Sequence, residues 1–200
     1  IDVKTAEISY IQNVLLNDIF EDGGFSWLKD NKTIIAKVIP ENRKKPNIGR
    51  IPESPVIEET SGKKSTMRTY TNLLKTTNDK ILFEHYFTSQ IALINTKNGK
   101  IRKITEPQII DDISVSPDNK YLLIDTFHKP YSYQVPYYYF PRKICIIDLE
   151  GKEVKIIQER SLQDAIPIGG TYTGPRRCRW QPLKDASVIW AEALDDGDPK

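Results

Sequence analysis

Ile91–Ile104, IALINTKNGKIRKI, and Ile144–Ile157, ICIIDLEGKEVKII, are two copies of one pattern. Each is an apolar β-branched run, then an Asn or Asp, then a turn containing Gly, then a Lys-bearing amphipathic run. β-Branched residues favour the pleated conformation, and runs of roughly five to seven residues suit strands, whereas a helix would need about ten or more. Each copy therefore predicts an antiparallel hairpin, with Gly99 and Gly151 supplying turn backbone that other residues resist.

A second pattern recurs between these copies. FSWLKDNKTIIAKV (Phe25–Val38) parallels ISVSPDNKYLLIDT (Ile113–Thr126) and, more loosely, CRWQPLKDASVIWA (Cys178–Ala191). Each is a short strand, an Asp-Asn or Lys-Asp turn and a longer apolar strand. In chain order the two hairpin types alternate, so four antiparallel strands form a unit that repeats in tandem. That is the blade of a β-propeller. The expectation is an all-β chain, a partial β-propeller of two whole and two partial four-stranded antiparallel blades with a small helical insertion.

The boundaries follow. Residues 1–20 read as the end of a preceding blade, 25–104 as a blade, 113–157 as a second blade and 176–200 as the start of another. The first blade is overlong because 40–86 is inserted between its second and third strands. Pro40–Lys64, rich in Pro, Gly and Lys, reads as an exposed loop. Thr69–Tyr86 then suggests two short amphipathic helices from the spacing of Tyr70, Leu73 and Leu74 and of Ile81 and Leu82, with Asn78 or Asp79 capping the second. A closed propeller needs about four to eight blades, so the chain reads as part of a longer protein. Ile1, which is not a start methionine, points the same way.

Composition narrows the function classes. A net charge of +2, from 29 basic and 27 acidic residues, gives no general electrostatic case for nucleic acid or membrane binding. No apolar run approaches the ~18–20 residues of a membrane span, and no signal peptide opens the chain. Cys145 and Cys178 are too few and too far apart for a zinc site or a disulfide framework, and read as buried free thiols.

Four stretches resemble the prolyl oligopeptidase family of serine peptidases, in its glutamyl endopeptidase branch. They are FSWLKDNKTIIAKVIPENRKKP from Phe25, PVIEETSGKKSTMRTYTNLLKTTNDKILFEHYFTSQIALIN from Pro55, SPDNKYLLIDTFHKPYSYQVPYYYFPRKICIIDLEGK from Ser116, and DAIPIGGTYTGPRRCRWQP from Asp164. The last continues to an Asp-Asp-Gly-Asp turn at Asp195–Asp198. The resemblance implies a propeller paired with an α/β-hydrolase domain that carries a Ser-Asp-His triad and lies outside this chain. It implies peptide hydrolysis, in the glutamyl branch after acidic residues, with the propeller restricting access to the site. A periplasmic or secreted location goes with that reading.

The chain itself lacks the parts for that chemistry. A serine nucleophile needs a tight Gly-x-Ser-x-Gly elbow aimed at an oxyanion hole, and no such motif occurs. Gly24-Phe25-Ser26-Trp27 has no trailing glycine, and Gly169–Gly174 (GGTYTG) has Thr and Tyr where Ser is required. His85 and His128 have no neighbours arranged as a triad. Asp195–Asp198 lacks the alternating ligands and distal Glu of a calcium loop, and no Gly-rich loop opens a helix to cradle phosphate. No cofactor and no metal are expected.

Two segments remain for substrate contact. HKPYSYQVPYYYFPR (His128–Arg142) is either a rigid connection whose rings pack between blades or an exposed rim, since tyrosine gives contact area with a polar handle. GPRRCRW (Gly174–Trp180) sets three arginines at the entry to an inner strand, where a guanidinium can grip a carboxylate through two bonds. Arg176, His128 and Tyr131 are the candidate substrate-binding residues; Arg176 matches the Gly-x-Arg of the resembling family, and a structural ion pair is its plainer role. The expected partners are a peptide substrate, the hydrolase domain of the parent chain, and a second copy through open blade edges. The alternative is a non-enzymatic propeller that serves as a platform for proteins or peptides. A hydrolase using channel carboxylates, as glycosidases do, fits poorly with the few acidic residues on the inner-strand patterns.

Overall fold

The computed structural model describes residues 3–21, 23–49, 68–71 and 73–197. It is built of antiparallel strands with one α-helix among the described residues. The strands are β1 (Phe25–Trp27), β2 (Thr33–Val38), β3 (Thr88–Asn95), β4 (Ile101–Lys103), β5 (Gln108–Val115), β6 (Tyr121–Phe127), β7 (Arg142–Asp148), β8 (Glu153–Arg160), β9 (Arg176–Trp180) and β10 (Val188–Ala191). The helix, α1 (Thr77–Phe87), lies between β2 and β3.

β1 to β4 pair in sequence as one antiparallel meander, β5 to β8 as a second, and β9 with β10 as a hairpin. Every strand expected from the apolar runs is present. β3 belongs to both meanders: Ile91–Asn95 bonds into the first, while Thr88 and Ser89 pair with Ile109 and Gln108 of β5. Residues 3–20 contain no strand among those described; Leu16 makes a single bridge to Val38.

The apolar runs are continuous rather than alternating because both faces of the strands are covered. On β2, Ile35 faces the second meander, where Leu122, Ile124, Cys145 and Ile147 join one buried cluster with it. Its neighbours Ala36 and Val38 face the other way, onto Ile11 and Val14. The opposite face of the second meander, through Leu123, Ile144 and Ile146, packs on Trp180, Cys178 and Val188 of the hairpin. The layers thus stack in chain order. Each buried Ile or Leu side chain contributes about 1.5–3 kcal/mol of hydrophobic stabilisation to this stack.

The repeated turns line up along one edge of the stack. In the first, Asp30 Oδ1 accepts from Lys32 N and Thr33 N, and Asn31 takes a left-handed φ of 53°. In the second, Ser116 Oγ accepts from Tyr121 N and Asn119 takes a φ of 58°. Lys29 N donates to Asn119 Oδ1 at 3.0 Å, and Asp118 N donates to Asp185 O at 3.0 Å, so each turn is bonded to the next. At the β7–β8 turn, Gly151 has φ 88° and sits so close to β4's exit that a Cβ there would lie 1.7 Å from Ile104 O.

The insertion differs from expectation. One helix forms where two were predicted: among the described residues Tyr70, Leu73 and Leu74 lie outside any helix, and Leu74 packs on an aromatic core instead. The cap is Thr76, not Asn78 or Asp79. Thr76 Oγ1 accepts from Asp79 N at 3.1 Å while Asp79 Oδ2 accepts from Thr76 N at 2.8 Å, a reciprocal capping box. Asn78 turns away and donates to Gly49 O. Of the expected Pro40–Lys64 loop, residues 50–64 lie outside the described residues, as do residues 55–67 and 72 of the second resembling stretch and Asp198.

Candidate functional site

The segment between β6 and β7 and the insertion build a separate core. Phe83 of α1 meets Tyr131 edge-on at 5.2 Å and Phe140 edge-on at 5.7 Å. Ile109, Phe127 and Val135 complete the buried set, and Phe20, Phe87 and Tyr139 pack around it. Tyr133, Tyr137 and Tyr138 are exposed. Within the tyrosine-rich segment, then, some rings pack inward against the helix and others face solvent.

Beside this core, on the second meander's face toward the hairpin, lies a group of charges. Asp111 is the extra residue of a bulge in β5, where the register with β6 shifts between Ile110 and Asp112. Asp125 lies in β6, Arg142 opens β7 and Arg160 closes β8, paired directly across from Arg142. Arg142 bridges both acids, Nη2 to Asp111 Oδ2 at 2.7 Å and Nη1 to Asp125 Oδ2 at 2.8 Å, with its guanidinium 4.3 Å from the Phe127 ring centre. Buried Lys37 donates from Nζ to Asp111 O at 3.0 Å.

Burial sets the electrostatics. It pushes the Asp125 carboxyl up to about 7 even though Arg142 pulls the other way. Asp111 moves up for the same reason, again opposed by Arg142. Arg160, only 6% exposed, is shifted down by desolvation. Its Nη2 donates to Tyr138 O at 3.1 Å and its guanidinium stacks 3.9 Å from the Tyr172 ring centre. Among the described residues its Nε and Nη1 have no hydrogen-bond partner, nor do Asp125 Oδ1, Arg142 Nε, Gln158 Oε1 and Arg176 Nε.

Of the residues singled out in the sequence, Arg176 is half-buried on β9 with Nη1 donating to Thr171 Oγ1 at 2.9 Å. Thr171 adjoins Tyr172, whose ring lies against the Arg160 guanidinium. Tyr131 is buried in the aromatic core and donates to Glu84 Oε1 at 3.3 Å. His128 is exposed, with Nδ1 2.9 Å from Lys129 O. The expected trio does not converge on one site. Asp111, Asp125, Arg142 and Arg160 were missed. A start for β5 at Ile113 left Asp111 outside the strand, and Asp125 sits inside the apolar run YLLIDT, where a carboxylate is out of place.

The group offers ionic recognition rather than covalent chemistry. Cys145 is a thiol, pushed up to about 11 by burial and packed among aliphatic side chains. Ser132 Oγ is engaged by Gln134 N. Among the described residues, no three His, Cys, Asp or Glu side chains are placed to hold a metal ion, and no helix is long and apolar enough to cross a membrane.

No established family profile matches the chain. It is 36% identical over 192 residues to a protein of Oryza sativa subsp. japonica named "Probable glutamyl endopeptidase, chloroplastic". It is 34% identical over 200 residues to a protein of the same name from Arabidopsis thaliana. Each match covers 94% of this chain and 20% of the relative, so the chain spans about a fifth of the length of the curated relatives it matches.

Proposed function

We propose that this chain is a segment of the β-propeller of a prolyl oligopeptidase-like serine peptidase of the glutamyl endopeptidase branch. The observation that carries the reading is the likeness to two proteins named as probable glutamyl endopeptidases, along nearly the whole of this chain. The fold supports it: successive four-stranded antiparallel meanders stack face to face in chain order, as propeller blades do. In this reading the segment gates peptide access to a hydrolase domain elsewhere in the parent, which cleaves after Glu or other acidic residues. Arg176 and, separately, the exposed His128 contribute to substrate contact. A periplasmic or secreted location rests on the resemblance alone, and the two relatives are chloroplastic by name.

The test is to express the parent reading frame and assay it on a glutamyl-peptide library with and without a serine-directed fluorophosphonate, with this 200-residue chain alongside. Fluorophosphonate-sensitive cleavage by the parent alone is the expected result. A parent that neither cleaves nor is labelled would sink the peptidase reading and leave a non-enzymatic binding platform in its place.

A further inference from the structure

We propose that copies of this chain add to one another head to tail, the β9–β10 hairpin of one seating on β1 of the next. In that contact Leu183 N donates to Asn31 Oδ1 of the neighbouring copy. The basis is a bond pattern that repeats from layer to layer. The β1–β2, β5–β6 and β9–β10 turns share one frame: Asn31 N donates to Leu28 O, Asn119 N to Ser116 O and Lys184 N to Gln181 O. Between layers, each turn gives a backbone N–H to an oxygen of the turn that follows. The first gives from Lys29, the second residue of its frame, to Asn119 Oδ1 at 3.0 Å. The second turn has Pro117 at that place, with no N–H to give, and gives from Asp118 to Asp185 O at 3.0 Å instead. The third has Pro182 there, so its donor is Leu183, which is 92% exposed. At the other end of the stack the first turn presents Asn31, which matches Asn119 in the frame and in φ, 53° against 58°. Asn31 is exposed. One end thus offers the acceptor and the other the donor that fits it.

The side-chain faces match in the same sense. Phe25 and Trp27 stand opposite Ala36 and Ile34, and directly opposed residues of an antiparallel pair share a face. That face is turned away from the second meander, and both rings are exposed. On the hairpin, Trp180 and Val188 are opposed and pack on the second meander. The next opposed pair, Arg179 and Ile189, therefore points outward, and both are exposed. A guanidinium laid on an aromatic face is attracted by the ring, and Ile189 covers apolar surface beside it. Two β1 ends facing each other would bring acceptor to acceptor, and two hairpin ends would bring arginine to arginine. The contact joins different patches on the two copies, so each copy added leaves both kinds of end open for another.

The association is read by mass, without a peptidase assay, so it stands or fails apart from the proposed function. Sedimentation velocity and native mass spectrometry follow this chain over a range of concentrations, and species larger than dimers are expected to grow with concentration. Trp27→Lys and Ile189→Lys each leave one working end, so each alone should be a monomer. Mixed in equal amounts they should form a dimer with one copy of each and nothing larger, because their lysine ends repel. Asn31→Gly keeps the left-handed turn but removes the acceptor, and should weaken association about three- to tenfold. Three results overturn the proposal: an unmodified chain that is a monomer at every concentration, a lysine variant that still dimerises alone, and a mixture that stays monomeric. If a lysine variant does not fold, Asn31→Gly, at an exposed turn, decides, and undiminished association in it overturns the proposal.

Discussion

Asp125 lies in the middle of an apolar strand, and burial outweighs the Arg142 ion pair in setting its proton affinity. Its carboxyl moves from the ordinary value of 3.8 up to about 7. The folded chain then holds a proton that the unfolded chain has released, so stability falls as pH rises through that window. The cost is absent below the ordinary value and complete above about 7. Asp111 acts in the same direction, whereas His85, shifted down by burial and by Arg43, acts in the opposite one. Asp125→Asn isolates the effect: chemical denaturation from roughly pH 4 to pH 7 should show a smaller loss of stability in the variant than in the unmodified chain. Equal losses would show that Asp125 is fully ionised in the fold. This residue also marks where sequence reading stopped. The run YLLIDT announces a strand, but which partner meets its Asp depends on a β5 bulge and on the β7 register, and neither has a local signature.

At the scale of elements, turns were more legible than packing. Asp-Asn before a long apolar run and Gly after Asn or Asp are local backbone requirements, so the β1–β2, β5–β6, β3–β4 and β7–β8 turns all fell where their residues put them. The helix cap was misplaced because Thr76, Asn78 and Asp79 are all able caps, and the choice rests on where the helix must start to bury Phe83. Gly151 shows both kinds of constraint at once. Its φ of 88° is a local demand that the sequence reveals, while the carbonyl of Ile104 against its Cα is a demand of the neighbouring meander. Gly151→Ala combines a left-handed penalty of about 1–2 kcal/mol with an overpacking cost of similar size. A loss of about 2–5 kcal/mol in denaturant-derived stability is expected. A loss under about 1 kcal/mol would mean that the two meanders separate easily at this point.

For the whole molecule, the stack ends on uncovered apolar surface. Phe25 and Trp27 of β1 are each 51% exposed, and Trp190 of β10 is 47% exposed. Such surface, with unpaired strand edges beside it, favours association. Light scattering over a range of concentrations should show this chain forming dimers or larger species, and Trp190→Lys should shift the distribution toward monomer. A monomer at all concentrations would refute self-association. The alternation of hairpin types made the layered, all-antiparallel arrangement readable in advance. The charge group was not readable, because its members come from β5, β6, β7 and β8 and meet only once those strands have paired.

β3 has a consequence for how the layers come apart. Its first residues bond to β5 and its later ones to β2 and β4, so one strand threads the backbone ladders of both meanders. The eight strands should therefore protect their amides from hydrogen exchange as one cooperative unit. The β9–β10 hairpin shares no ladder with them. It is attached through packing, the bond from Trp180 Nε1 to Ser114 O and the turn bond to Asp185. It can open as a separate, less stable unit, so its amides should exchange ahead of those of the eight-stranded sheet.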